Sequence, residues 1–256
     1  MKKLLKLAAY TGMFAAVCLT PRAEAGVVYD LSQNSTAVIG GAIFTTDFTQ
    51  PTGTGVFDPF LTLQANGTEE GYNTSAGVMN TKREPQWNHE IRVSDLNTVA
   101  IGGKQYYSFL IDINEPNGQK KSLISLDMLQ IYTSQTKGQT TTNVSQLGTL
   151  RYNLDVPTDS YIKYDDENSG SGQGDIAFFI PVEYFAGSAS TDYVYMYQKW
   201  GSNVSADLTT EGGFEETAIY RITAVPEVSS FAPLAGVLGM VVGVTHFRRR
   251  RHAKAA

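Results

Sequence analysis

Gln105-Tyr106-Tyr107-Ser108-Phe109-Leu110-Ile111-Asp112-Ile113 is the stretch on which the fold turns. Tyr107, Phe109, Ile111 and Ile113 recur at every second position, the period of an extended strand, and the positions between them are largely apolar too. A strand with two apolar faces must be covered on both, so this one is expected at the centre of a sheet. Residues 176–180 have the same character. Outward from these, β-branched or aromatic runs recur at 37–45, 56–63, 124–132 and 217–222, most of them separated by Gly, Asn, Ser or Asp clusters. Within 123–132 the alternation changes phase at Asp127, where Ile124, Leu126 and Met128 give way to Leu129 and Ile131, so a bulge or short turn is expected there. No long amphipathic helix and no internal repeat interrupts this pattern. The expected fold is all-β, an antiparallel β-sandwich or jelly roll, in one domain over residues 26–223.

Residues 1–25 read as a secretory signal peptide. Lys2, Lys3 and Lys6 supply positive charge, 7–19 is mostly apolar, and Ala23-Glu24-Ala25 puts small residues at the cleavage positions. Signal peptidase would then leave Gly26 as the first exported residue. Cys18 is the only cysteine and departs with that segment, so the exported body is expected to have no disulfide, thiolate metal site or cysteine nucleophile.

At the other end, 231–247 carries no Asp, Glu, Lys or Arg and is followed by Arg248, Arg249, Arg250 and Arg251. As a helix that run reaches about 25 Å, at the lower limit for crossing a hydrocarbon core of about 30 Å. Arginines directly behind it place the C-terminus in the cytoplasm and the body outside. Val225-Pro226-Glu227 stands just ahead. This order of parts within 224–256 resembles the PEP-CTERM sorting signal of Gram-negative bacteria, with Val228 where that motif has its second proline. The resemblance implies transient anchoring in the inner membrane, recognition near Pro226 and Glu227 by an exosortase-type enzyme, and delivery to the cell surface or the extracellular matrix. Exosortase systems accompany polysaccharide export, so it also implies exopolysaccharide as a neighbour. The body segments 53–60, 109–115, 125–132, 170–176 and 212–216 resemble a subset of proteins bearing this tail, which adds β architecture and cell-surface context and no reaction.

Nine of the twenty basic residues lie in the two ends. What remains in 26–223 is 11 Lys and Arg against 23 Asp and Glu, a net of −12. Nucleic acid and anionic lipid need a basic footprint and are not expected partners of this body, whereas divalent cations suit it.

Three sets of residues carry candidate chemistry. Asp165, Asp166 and Glu167 are followed by a glycine-rich run that ends at Asp175. Carboxylates at both ends of a bendable loop are what calcium takes, although the same layout also serves as a solvated hairpin loop. Asp112, Glu115 and Asp127 are a second set, from which a carboxylate pair for polysaccharide hydrolysis would have to come. Their strand and turn positions, however, favour structural roles. The aromatics Trp87, Trp200, Tyr193, Tyr195 and Tyr197 fit sugar stacking on a sheet face and also plain core packing. His89 is the only histidine of the body, which excludes multi-histidine zinc sites there. The expected function is that of a non-enzymatic surface or matrix protein, structural or glycan-associated; the alternative is a secreted hydrolase.

Overall fold

The computed structural model describes residues 26–49, 57–115, 123–166, 174–201 and 208–221. Residues 1–25, expected as a signal peptide and including Ala23 and Ala25, Glu167, the stretch Val225, Pro226 and Glu227, the apolar run 231–247 and Arg248 to Arg251 lie outside the described residues. Among the described residues no helix is long and apolar enough to cross a membrane.

In chain order the strands are β1 (Val27–Asp30), β2 (Thr36–Ile39), β3 (Ala42–Thr45), β4 (Pro59–Leu63), β5 (Asn66–Gly67), β6 (Glu69–Tyr72), β7 (Ile91–Arg92) and β8 (Thr98–Ile101). There follow β9 (Lys104–Ile113), β10 (Leu123–Ser134), β11 (Thr149–Asn153), β12 (Ser160–Asp165), β13 (Ile176–Pro181), β14 (Tyr193–Trp200), β15 (Thr210–Glu211) and β16 (Glu215–Ile219). One sheet runs β1-β12-β10-β14-β6, with β11 beside β10 and β7 beside β14. The other runs β2-β3-β13-β9-β16-β4, with β8 beside β9, and β5 and β15 form a small third ladder. Among the described residues every pairing is antiparallel except that of β1 with β12. The protein is all-β, built on antiparallel sheets.

The two large sheets share one apolar core. Phe109, Ile111, Ile113 and Phe178 enter it from one sheet, and Leu126, Ile131, Met196 and Trp200 from the other. The alternate positions of the central strands are also buried, which is why those strands read as apolar on both faces. Leu110, Ala177 and Phe179 pack outside the second sheet with Ile43, Tyr106 and Tyr220. Tyr195 and Tyr197 pack outside the first with Tyr72, Tyr132 and Leu147. An aromatic ladder crosses the second sheet: Phe178 lies opposite both Phe44 and Phe109 in register, with ring centroids 5.6 and 5.0 Å apart and near-parallel planes. Each such ring removed from water contributes about 1.5–3 kcal/mol, and the contacts between rings add to that.

Two local features refine the sequence reading. The run 37–45 is a hairpin and not one strand, because Gly40 and Gly41 take φ of 54° and 84°, the left-handed pair that a tight two-residue hairpin turn requires. The phase change at Asp127 is a bulge: the register of β10 against β14 shifts between Leu126 and Met128.

Candidate functional site

The end of β9 is where acidic side chains gather. The N–H of Ile113 donates to Asp175 Oδ2 at 2.7 Å, and the N–H of Glu115 donates to Asp166 Oδ2 at 3.0 Å. Asp175 also accepts from the Tyr164 hydroxyl at 3.0 Å. Asp166 and Asp175 are buried, and their carboxylates take up backbone donors where the strand runs past its sheet partners, which are among the stronger hydrogen bonds a protein makes. Asp165 is half-buried at the end of β12, so three of the four residues offered for calcium fall in one region; Glu167 is the fourth. Asp165 and Asp175 also border a cavity of about 360 Å³ together with Ser32, Asn34 and Thr46.

Beside this, three glutamates meet inside the protein. Glu69 pairs in register with Trp200 on the first sheet, and Glu215 pairs with Ile113 on the second. Trp200 and Ile113 are core residues, and directly opposed residues share a face, so both glutamates point into the space between the sheets. The carboxyl of Glu215 reaches hydrogen-bonding contact with those of Glu69 and Glu115. Glu69 and Glu215 are 0 % exposed and Glu115 4 %. The contacts that hold the cluster in place come from the backbone: the N–H of Ala65 donates to Glu69 Oε2 at 2.7 Å, and the N–H of Glu211 to Glu115 Oε2 at 2.7 Å. Glu69 Oε1, Glu115 Oε1 and both oxygens of Glu215 have no hydrogen-bond donor. Two ionised carboxylates offer each other only acceptors, so the contacts made by Glu215 require a proton or a cation between the oxygens.

The electrostatics agree with that geometry. Burial pushes Glu69 up to about 7, against the hold of its contacts with Glu215 and the Ala65 N–H and reinforced by the charge of Glu115. Burial likewise raises Glu115, against the Glu211 N–H. Glu215 is raised well above the usual carboxyl range, first by burial and then by Glu69 and Glu115.

The close fit of this end depends on Gly213. A β-carbon there would lie 1.8 Å from the carbonyl oxygen of Asn114, next to Glu115. Just across the same end, the Gln198 amide of the first sheet donates to the Thr217 hydroxyl of the second at 2.9 Å, and the Trp200 indole donates to Gln198 Oε1 at 3.1 Å. Polar groups thus line one end of an otherwise apolar core.

The other candidates are distributed differently. Asp112, on β9, lies opposite Glu216 on β16, and Asp127 is on the other sheet, where it accepts from the Ser125 hydroxyl at 3.0 Å. With Glu115 they are 0, 8 and 4 % exposed in the order Asp112, Asp127, Glu115, and no water-facing pair is formed from them. His89 Nδ1 is bonded to the Pro85 carbonyl at 2.9 Å, inside a turn. Of the aromatics, Trp200, Tyr195 and Tyr197 are buried, Tyr193 is half-buried under Arg92, and Trp87 is 41 % exposed.

Glu69 and Glu215 escape a reading of the sequence by composition, yet a signal for them exists. Each is the first of a Glu-Glu pair, Glu69-Glu70 and Glu215-Glu216. Successive residues of a strand point to opposite faces, so one member of each pair has to enter a sheet that is covered on both sides. Among the described residues no three His, Cys, Asp or Glu side chains already stand around a metal position. No known protein family, curated protein or solved structure matches this chain.

Proposed function

We propose that residues 26–223 are the exported, non-catalytic body of a cell-surface or extracellular-matrix protein, sorted by an exosortase-type system through its C-terminal tail and working beside exopolysaccharide. The tail carries the sorting reading: Val225-Pro226-Glu227, the apolar run 231–247 and four arginines stand in the order of the PEP-CTERM signal. The observation that favours a structural or glycan-associated role over hydrolysis is the burial of Asp112, Glu115 and Asp127. A glycosidase needs one carboxyl to protonate a leaving group and another to meet water or sugar, and buried side chains reach neither. The antiparallel body suits a β-sandwich, and among the described residues the exposed Trp87 offers a ring that could stack on a sugar. Calcium remains in this reading as the ion that a body of this acidic charge would take.

The test is to mix the purified protein with the polysaccharide that its host exports and to measure co-sedimentation and newly released reducing ends. Co-sedimentation that weakens in Trp87→Ala, with no release of reducing ends, is expected. Release of reducing ends that is lost in Asp112→Asn or Glu115→Gln would replace this reading with the hydrolase.

A further inference from the structure

We propose that the buried carboxyls of Glu69, Glu115 and Glu215 bind one hard divalent cation, calcium by chemistry, which ties the two sheets together at this end of the core. This stands on the described body and is independent of the sorting tail. Glu215 supplies the decisive observation: it is fully buried, both its oxygens lack a hydrogen-bond donor, and they face two further carboxyls. With Glu69 Oε1 and Glu115 Oε1, four donor-less oxygens come from β6, from β16 and from the residues just after β9, and Glu215 touches both of the others. The groups acting on the three carboxyls are one another, Glu211, and the N–H groups of Ala65 and Glu211; no lysine, arginine or histidine among the described residues is one of them. Buried charge of one sign without a counter-charge is costly, and a bound dication removes that cost.

The ligand set selects the metal. Oxygen-only donors exclude the thiolate and imidazole preferences of zinc and copper. Three carboxylates in mono- or bidentate use supply up to about six oxygens, the number at which calcium coordination begins, and calcium tolerates irregular geometry where magnesium does not. The three carboxyls do not surround a metal position as they stand, so binding asks their planes to turn inward. Glu215 now meets its neighbours pairwise, and oxygens around a calcium at about 2.4 Å stand roughly 3 Å apart, close to the spacing of hydrogen-bonded carboxyls. The terminal torsion of glutamate is broad, so turning the carboxyl planes inward costs little.

The experiment uses the full chain in detergent, stripped with EDTA at pH 8, and titrated with terbium while the emission excited through tryptophan is recorded. Trp200, opposite Glu69 in register, makes that emission a local reporter. Saturable emission displaced by calcium, and a melting temperature raised by calcium but not by equal magnesium, are expected. Loss of a partner that merely orients a ligand costs metal sites about 10–100-fold, so Glu215→Gln, which alters a ligand itself, should weaken calcium by at least about tenfold. Asp165→Asn should leave the affinity unchanged. Glu215→Gln keeps the shape and takes one of three facing carboxyls out of the cluster, so without calcium it should melt no lower than the parent. Absence of both the emission and the calcium shift would mean that the carboxyls share protons alone, and overturns the proposal. So would binding that survives Glu215→Gln and is lost in Asp165→Asn, which would place the ion on the 165–175 stretch.

Discussion

Glu215 of the second sheet and Glu69 of the first meet carboxyl to carboxyl in the interior, each facing inward because its strand partner is a core residue. Their strands are far apart in sequence. The contact therefore reports on how one end of the two sheets is held closed.

Without calcium, this cluster makes the protein less stable as pH rises. All three carboxyls titrate above their unfolded values, so the stability they confer is fully present below the ordinary carboxyl range and is lost as pH climbs through the folded values, with Glu69 near 7. In EDTA the melting temperature should fall by roughly 5–10 °C between pH 5 and pH 8.5, equivalent to about 2–3 kcal/mol in a body of this size. The fall should shrink in Glu215→Gln. A melting temperature that climbs over this interval would contradict the inward placement of these glutamates.

Phe178→Ala should be among the most damaging single substitutions. It removes the ring that stacks on both Phe44 and Phe109 and leaves a cavity in the middle of the second sheet. The cost expected is about 3–5 kcal/mol, read as a lowered urea midpoint with an unchanged slope. A loss below about 1 kcal/mol would mean that the ladder does not form.

Asp175→Asn separates a structural carboxylate from a metal ligand. The N–H of Ile113 and the hydroxyl of Tyr164 both donate to Asp175, so losing the charge should cost about 1.5–3 kcal/mol even in EDTA. Equilibrium unfolding without calcium measures it. Equal stability of parent and variant in EDTA, with a difference only in calcium, would return Asp175 to the role of ligand.

Gly213→Ala should open the same end by sterics alone, since its β-carbon would need the Asn114 carbonyl to move. A loss of more than about 1 kcal/mol is expected, together with faster amide exchange at Glu115 and Glu211. Unchanged exchange at both amides would contradict the close approach.

The strands were legible in the sequence wherever apolar residues kept a period of two. Gln105 to Ile113 reads as central because both of its faces are apolar, and both are buried. Asp127 announces its bulge through the phase change around it. What local pattern does not carry is which distant strands meet. Nothing near Val27–Asp30 specifies a parallel partner at Ser160–Asp165. The acidic site hides for the same reason. Asp165 to Asp175 looks like a site because its carboxylates lie within one short stretch of chain, whereas Glu69, Glu115 and Glu215 become neighbours only when two sheets close on each other. Tyr195 and Tyr197 mislead in the opposite direction: alternation puts them on one face, but only the loops that cover that face show them to be packed and not displayed.

Export and sorting of this chain can be followed in its native host. Membrane fractionation of the native host, comparing the parent with a Pro226→Ala, Glu227→Ala double variant, reads where the protein goes and at what length. The expected result is a shortened parent at the surface or in the medium, and a double variant held at full tail length in the inner membrane, with the same retention when Arg248, Arg249, Arg250 and Arg251 are replaced. Normal shortening and release of the double variant would contradict the sorting reading, and with it the cell-surface role proposed for the body.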